Sequence, residues 1–376
     1  MRFIKGGLTC LTLALFLLAG GVAPAEEMGS EAGPEQVRES MPESAPLRYL
    51  PDTPKEMLLC QEKLPLDDQI MFEALDREFN IAVHDQAQVV MWMKRAHRYF
   101  PHISQQLRAA GMPDDLKYLA VAESGLLHKV GSSAGAVGVW QFMPATARRY
   151  GLRVDDWLDE RRNFYKSTVA ALRYLRDLHD EFGSWTLAMA GYNCGEARVR
   201  KELKEQGVTC YYDLQLPDET MRYVFRIASA KAVLEDPRKY GYALPADRLY
   251  PPIDAEPAQV SLKRLTHLRD MAKPIGSTVR RLRELNPEIR QHVLPAGNYV
   301  LLVPPGAAAK LELAAASLPA CPVKQSDECR YWVVKRGDSL SLIAKRLGVS
   351  AAALRRANNI HGDKIKLGQR LVVPPK

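Results

Sequence analysis

The sequence predicts a multi-domain protein, with a mainly α-helical body followed by two small βααβ units. Three observations predict it. The chain has 376 residues, too many for one ordinary domain and enough for two or three. Residues 85–240 carry an almost unbroken helical period, with caps and stops at its breaks. Beyond Pro251-Pro252, two segments repeat one another at an offset of 72 residues. Hydrophobic residues make up 47% and charged residues 26%, a composition that supports a packed core and excludes global disorder.

The N-terminus reads as an address. Arg2 and Lys5 precede an apolar run from Leu8 to Leu18, and Ala23-Pro24-Ala25 follows. This is the pattern of a cleaved export signal over residues 1–25. The run is shorter than the roughly 20 residues of a membrane-spanning helix. Gly20-Gly21 stand where a lipid-anchored chain needs a Cys, and Cys10 comes too early. The expectation is a protein of the periplasm or cell envelope with only peripheral membrane association. Residues 26–84 read as a partly disordered leader, because residues 26–56 are rich in Glu, Pro, Ser and Gly without an apolar period.

The helical body is expected over residues 85–250. His84-Asp85 caps a helix towards Tyr99, which Phe100-Pro101 stops. Further helices end at Gly111, and Asp114 opens another. Tyr165–Phe182 is amphipathic, with Leu172, Leu175 and Leu178 inward and Gly183 as its stop. Ser184 caps a helix to Tyr192, Gly195 breaks it, and Glu196–Glu205 and Glu219–Glu235 complete the set.

The repeat matches Met271-Ala272 with Ile343-Ala344, Gly276 with Gly348, Leu282 with Leu354, and Asn286 with Asn358. The units span 256–306 and 331–376, joined by a linker at 307–328 that holds an Ala-rich helix. The first copy lacks the Gly-Asp-Ser turn of the second, and Lys273-Pro274 interrupts its first helix. Residues 331–376 carry ten Lys/Arg and two Asp, so the whole net charge of +8 resides there. A basic module on a neutral body suggests a binder of an acidic polymer, and the export pattern argues against nucleic acid. Among the cysteines, Cys321–Cys329 is the best candidate disulfide and Cys194–Cys210 a weaker one, with Cys60 left over. No Cys/His spacing suggests a metal site.

One short segment carries the chemistry. Leu116, Leu119, Ala120 and Glu123 fall on one helical stripe, so a lone carboxylate sits on an apolar face next to the helix end at Ser124-Gly125. Burial and the negative end of the helix dipole both disfavour its charge. Such a Glu holds its proton nearer neutrality, as a general acid must; the plainer reading is a helix-end Glu that reaches water. Gly131–Gly138 contains little bulk and lets backbone approach a ligand. Trp140, Gln141 and Met143 then offer apolar surface and an amide, a combination suited to sugars. Trp140 and Phe142 read as core, and Gln141 as the better site candidate. Tyr192 and Asn193 end a helix, where Asn also suits a cap. Glu219 reads as a first-turn acid rather than a second catalytic one. Asp114, Asp115, Asp155 and Asp156 read as caps or surface.

The second small unit, with Tyr331-Trp332-Val333-Val334, Gly337-Asp338-Ser339-Leu340, Ile343-Ala344, Leu354, Asn358 and Leu367-Gly368-Gln369, closely resembles a LysM domain. The resemblance implies binding of N-acetylglucosamine-containing glycans through Gly337, Asp338, Ser339, Leu340 and Asn358. The first unit resembles a degenerate copy. The helical body resembles the lytic murein transglycosylase family, with its goose-type-lysozyme-like fold. The matching residues are Glu123-Ser124, Gly138–Ala147, Gly191–Glu196 and Leu216–Val224. Val139 stands for the usual Leu and Gly191 for the usual Ala.

That resemblance implies Glu123 as the catalytic acid and Ser124, Gln141, Met143, Tyr192, Asn193 and Tyr223 as the lining of a glycan cleft. It implies cleavage of peptidoglycan strands by a monomer, without metal or organic cofactor. The product would be 1,6-anhydro-N-acetylmuramic acid rather than a hydrolysed end. A hydrolytic muramidase or a non-catalytic wall binder are the alternatives.

Overall fold

The computed structural model describes residues 51–321, 330–358, 360 and 362–373. The export signal, the first part of the leader and Cys329 lie outside the described residues. Structure begins earlier than the periodicity suggests. A two-residue hairpin, β1 (Leu58–Leu59) with β2 (Glu62–Lys63), leads into α1 (Gln69–His84). Asp68 caps α1 by accepting from the Ile70 and Met71 amides at 2.9 and 3.0 Å. Leu75, Phe79, Ala82 and Val83 are buried along one face of α1, which packs on the later helix α8 (Asp218–Glu235). Glu62 accepts from the Ser184 hydroxyl and the Thr186 amide at 3.0 and 3.2 Å, which places its charge at the N-terminus of α6 (Trp185–Cys194). The segment from residue 51 to 84 is therefore part of the helical body and not leader.

A second correction concerns α2 (Gln86–Ala109), which runs straight through Pro101. Tyr99, Ile103 and Leu107 recur every fourth residue and are almost fully buried, so packing carries the helix across the break. Pro101 itself faces solvent, where water can satisfy the carbonyl that loses its partner.

The rest follows the pattern closely. α3 (Lys117–Ser124) and α4 (Pro144–Arg149) flank the glycine-rich loop. α5 (Phe164–Phe182) buries Leu172, Leu175 and Leu178, and Gly183 ends it at φ +69°. α6 (Trp185–Cys194), capped by Ser184, α7 (Glu196–Gln206) and α8 (Asp218–Glu235) close the body. Gly191 lies where α6 crosses α5. A Cβ there would stand 3.1 Å from both Leu178 Cδ2 and Phe182 Cε2, so the glycine makes room for Phe182. Cys194 and Cys210 are free, so the second candidate disulfide is absent.

The first small unit pairs β3 (Glu256–Leu262) with a later strand, β6 (Gly297–Val303), in antiparallel register. Between them lie β4 (Thr266–His267), α9 (Leu268–Ala272), α10 (Val279–Leu285) and β5 (Val293–Leu294). A short 3-10 turn at Lys273–Ile275 ends α9 where Pro274 was expected to interrupt it. The Ala-rich segment is α11 (Ala308–Ala315), and it is not a free linker. Leu311, Ala315 and Leu318 join the core of the first unit, and α11 packs on β3. The second unit has β7 (Arg330–Val333), α12 (Leu340–Leu347), α13 (Ala351–Ala357) and β8 (Arg370–Val373), around Leu340, Ile343, Leu354 and Leu371.

The repeat is visible at one strut. Asn286 Nδ2 donates to the Leu282 and Leu302 carbonyls at 2.8 and 2.7 Å, and its Oδ1 accepts from the Leu302 amide at 2.7 Å. Asn358 makes the same three bonds, to Leu354 O, Val372 O and Val372 N, at 2.8, 2.8 and 2.6 Å. An amide side chain is needed because the strut both donates and accepts.

The helical body and the first small unit are joined by backbone. Asp159 N donates to Glu288 O at 2.8 Å, and Arg290 N to Trp157 O at 2.9 Å. Leu158 lies in the core of the first unit. Asn163 Nδ2 adds a buried 2.8 Å bond to Glu288 Oε1.

Candidate active site

α3 presents Glu123 as its stripe predicts. Leu116, Leu119 and Ala120 are fully buried, and Glu123 is the half-buried next step along that face. Gly125 terminates the helix at φ +57°, with Trp92 Nε1 3.1 Å from where a Cβ would be. Arg95 Nη1 holds the Gly125 carbonyl at 2.9 Å. Glu123 thus sits on the wall of a cleft of about 750 Å³, bounded by α1, α2, α3 and α8.

Burial pushes the Glu123 carboxyl up to about 7. The Tyr223 hydroxyl donates to Glu123 Oε1 and, with the Arg226 guanidinium, pulls in the other direction. Arg226 is itself held by a 3.1 Å bond from Nη2 to the Ala122 carbonyl. Glu219 lies in the first turn of α8, as expected, and pushes the Glu123 carboxyl up a little further.

Two other carboxylates line this cleft, and both are committed elsewhere. Buried Glu78 accepts from Arg77 Nη1 at 2.6 Å and Arg222 Nε at 2.7 Å. Asp85 caps α2 through the Gln88 amide at 2.9 Å. Sequence reasoning missed Glu78, because it lies in the segment taken for leader, and it missed Arg222 and Arg226. Their spacing from Tyr223 on one helix was the available signal. The remaining acids do not line the cleft. Asp115 accepts from Cys60 N and Lys231 Nζ, and Asp155 from the Trp157 and Leu158 amides.

The other expected site residues divide by role. Ser124 Oγ donates to Val139 O at 2.8 Å, and Tyr192 Oη to Trp140 O at 2.7 Å. Together they fix the loop after Gly138 beside Glu123. Trp140 is fully buried, with its Nε1 on Thr168 Oγ1 at 3.0 Å, so it is core as expected. Gln141 turns back on its own loop, Nε2 to Gly138 O at 2.7 Å, and occupies φ +44°. Met143 is exposed at 43%. Asn193 Oδ1 accepts from the Thr220 hydroxyl at 2.8 Å. Tyr223 alone of this set touches Glu123 through a hydrogen bond.

The lean loop has a structural cause at one glycine. Gly138 has φ +90°, and a Cβ there would lie 1.9 Å from the Arg161 carbonyl oxygen. Arg161 then pins the loop through Nη1 to Gly135 O at 2.8 Å and Phe142 O at 2.9 Å. Asp159 holds this buried guanidinium bidentately at 2.8 and 2.9 Å.

Residues 101–213 match the family model of the transglycosylase SLT domain. That stretch of the helical body is therefore similar to a transglycosylase SLT domain. Glu123, Ser124 and the loop that Ser124 and Tyr192 hold all fall inside the matched segment. Residues 333–374 match the LysM domain, and residues 256–320 match the LysM-like domain of the lytic transglycosylase MltD. The last match includes α11, in agreement with its place in the core.

The chain is 33% identical over 292 residues to membrane-bound lytic murein transglycosylase D of Escherichia coli K12. That alignment covers 74% of this chain and 64% of the relative, so the chain spans less than two thirds of the relative's length. A segment of 49 residues is 51% identical to an autolysin of Enterococcus faecalis, covering 13% of this chain and 7% of that one. Among solved structures, a lytic transglycosylase Slt from Pseudomonas aeruginosa matches 40% of this chain and 26% of its own, at 22% identity and a TM-score of 0.30. The 70 kDa soluble lytic transglycosylase Slt70 of Escherichia coli matches 46% of this chain and 32% of its own, at 17% identity and a TM-score of 0.31.

In the LysM domain, the expected glycan residues also serve the fold. Gly337 takes φ +87° in the turn. Asp338 Oδ2 accepts from Trp332 Nε1 at 2.7 Å and Lys335 N at 2.9 Å. Ser339 caps α12, Leu340 is core, and Asn358 is the strut.

Proposed function

We propose that this chain is a peptidoglycan lytic transglycosylase, exported to the cell envelope and held on its substrate by the LysM domain. The observation that carries the reading is Glu123. It is a single uncommitted carboxyl on the cleft wall, pushed to about 7, inside an SLT domain. Ordinary glycosidases use two carboxylates, and here Glu78 and Asp85 are already spent on arginines and a helix cap.

One carboxyl then acts twice. Protonated Glu123 gives its proton to the glycosidic oxygen between N-acetylmuramic acid and N-acetylglucosamine, and the C1–O bond breaks. The substrate's own N-acetyl group stabilises the positive charge left at C1. Glu123, now a carboxylate, takes the proton from the muramic O6, and O6 bonds to C1. The proton returns to where it began, and no water enters. A carboxyl near 7 serves both halves, because neither protonation state is far from the working pH. Tyr223 and Arg226 keep the ionised form accessible, and Ser124 and Tyr192 hold the loop against which the strand lies.

Mass spectrometry of products from purified sacculi tests the reaction. The expected muropeptides end in the anhydro sugar, one water lighter than muramidase products. Reducing ends would replace this reading with hydrolysis, and no release of muropeptides with a fair binding signal would leave a wall-binding protein. A second expectation concerns Tyr223→Phe. Loss of the hydroxyl removes a hydrogen bond to the ionised carboxylate, worth about 1.5–3 kcal/mol in such cases. The alkaline limb of the kcat/KM profile should therefore move up by about one pH unit, with a lower plateau. An unmoved limb would show that Tyr223 does not set the Glu123 proton.

A further inference from the structure

A second groove, of about 860 Å³, lies where the SLT domain meets the MltD-type LysM-like domain. Lys129 and Arg162 line it from the SLT side, and Arg280, Arg283 and Arg290 from the other. Glu284 is the one carboxylate among its lining residues, and Arg280 Nε already holds it at 2.9 Å. The other cations have contacts of their own. Arg290 Nη1 donates to Asp155 O at 2.9 Å, Arg162 Nη1 to Lys129 O at 2.9 Å, and Arg283 Nη1 meets His292 Nε2 at 3.1 Å. Asp159 is 3.7 Å from Arg162 but is already gripped by Arg161. Among the described residues, no carboxylate pairs with Lys129, Arg283 or Arg290 at salt-bridge distance, although Glu284 attracts Lys129 and Asp156 attracts Arg290 from further away. Burial, with Arg161 and Arg290 nearby, holds the Arg162 guanidinium below its ordinary range.

Five cations against the single carboxylate of Glu284 leave the lining net positive, which favours a further anion there. The backbone bonds between residues 157–159 and 288–290 fix the two sets of cations opposite each other, so the groove is preorganised. It also shares a wall with the active-site cleft. Leu127 and Val130 face the cleft, and Lys129 between them faces the groove.

We propose that this groove binds the carboxylates of the peptide stems carried by a glycan strand whose sugars occupy the Glu123 cleft. The proposal rests on the reading of the substrate as peptidoglycan. The sugars of such a strand carry little charge, whereas its stems hang from the muramic units and carry several carboxylates. Bidentate guanidinium–carboxylate pairing is the chemistry the groove offers. No exposed large apolar side chain lines it, so it offers a bilayer no anchor. His292 is its one aromatic side chain, which leaves nucleic acid bases no stacking platform beyond a single imidazole.

The test measures binding of the full chain to insoluble sacculi, in a Glu123→Gln background so that the strands persist. Sacculi are used untreated or with their carboxylates amidated by carbodiimide chemistry. The groove variant is Lys129→Glu/Arg283→Glu. Arg173→Glu/Lys204→Glu, on exposed positions of α5 and α7, makes the same charge change outside the groove. Lys129→Arg/Arg283→Lys keeps the charge, and thermal melts verify folding of each.

The expected result is about a tenfold loss of affinity for the groove variant on untreated sacculi at low salt. The expected loss is twofold or less for the control pair, with full retention by the conservative pair and no difference among variants on amidated sacculi. Equal losses for groove and control pairs would overturn the proposal, as would a loss that persists on amidated sacculi. A loss confined to vesicles of anionic phospholipid would assign the groove to lipid headgroups and also overturn it. Binding is read without bond cleavage, so failure of the groove and failure of the catalytic reading give different results.

Discussion

Glu123→Gln is expected to abolish muropeptide release, by at least about a thousandfold, and to make the protein more stable at alkaline pH. The two effects have one cause. In the folded chain, burial pushes the carboxyl from its ordinary 4.5 up to about 7. Between those values the native state holds a proton that the unfolded state has released. Stability contributed by this site therefore falls as pH rises from about 4.5 to about 7, and the full penalty remains above 7. A shift of this size corresponds to a penalty on the order of 3 kcal/mol. Glutamine keeps the shape and an acceptor for Tyr223 but never ionises. Urea unfolding should show the variant ahead by up to about 3 kcal/mol at pH 8, with the gap closing by pH 4. A gap that does not change with pH would mean the carboxyl is not held protonated. Full activity in the variant would remove Glu123 from the mechanism.

Gly138→Ala is the second large effect. The substituted Cβ would lie 1.9 Å from the Arg161 carbonyl, at φ +90°. No rotamer relieves a clash between two backbones, so the loop or the Arg161 segment must move. The expected cost is about 3 kcal/mol or more, with loss of activity as the loop leaves Glu123. Two neighbouring glycines separate the causes. Gly135 has φ +94° but open space, so Gly135→Ala should cost about 1 kcal/mol of backbone strain alone. Gly131 has ordinary contacts at 3.5 and 3.6 Å and no positive φ, so Gly131→Ala should be close to neutral. Thermal melts of the three would check the order. Equal effects at 131 and 138 would contradict the packing explanation.

This glycine series also marks where sequence reasoning stops. The stripe that ends at Glu123 was legible, because helical spacing alone decides which face a residue takes. The Asn286/Asn358 repeat was legible as a pattern, though its meaning as a three-bond strut was not. The lean loop was seen but given the wrong emphasis. The partner of Gly138 is the Arg161 backbone, 23 residues on, and no local pattern records that approach. Pro101 misled for a related reason. Local chemistry says stop, while the burial of Tyr99, Ile103 and Leu107 says continue, and packing wins. The α1 helix was missed together with Glu78, although Asp68 and the apolar positions at Leu75, Phe79 and Ala82 were present to be read. The basic groove was invisible in the charge count. Residues before 331 are neutral as a whole, yet folding gathers cations from 129, 162 and 280–290 in one place.

The proposed chemistry depends on the proton that Glu123 keeps. Its most direct test is a carboxyl ¹³C NMR titration of the folded chain, with the Glu123 signal identified by its disappearance in Glu123→Gln. The expected midpoint is about 7, moving upward in Tyr223→Phe. A midpoint near the ordinary 4.5 would contradict the account, because the same group could not then serve as acid first and base second near neutral pH.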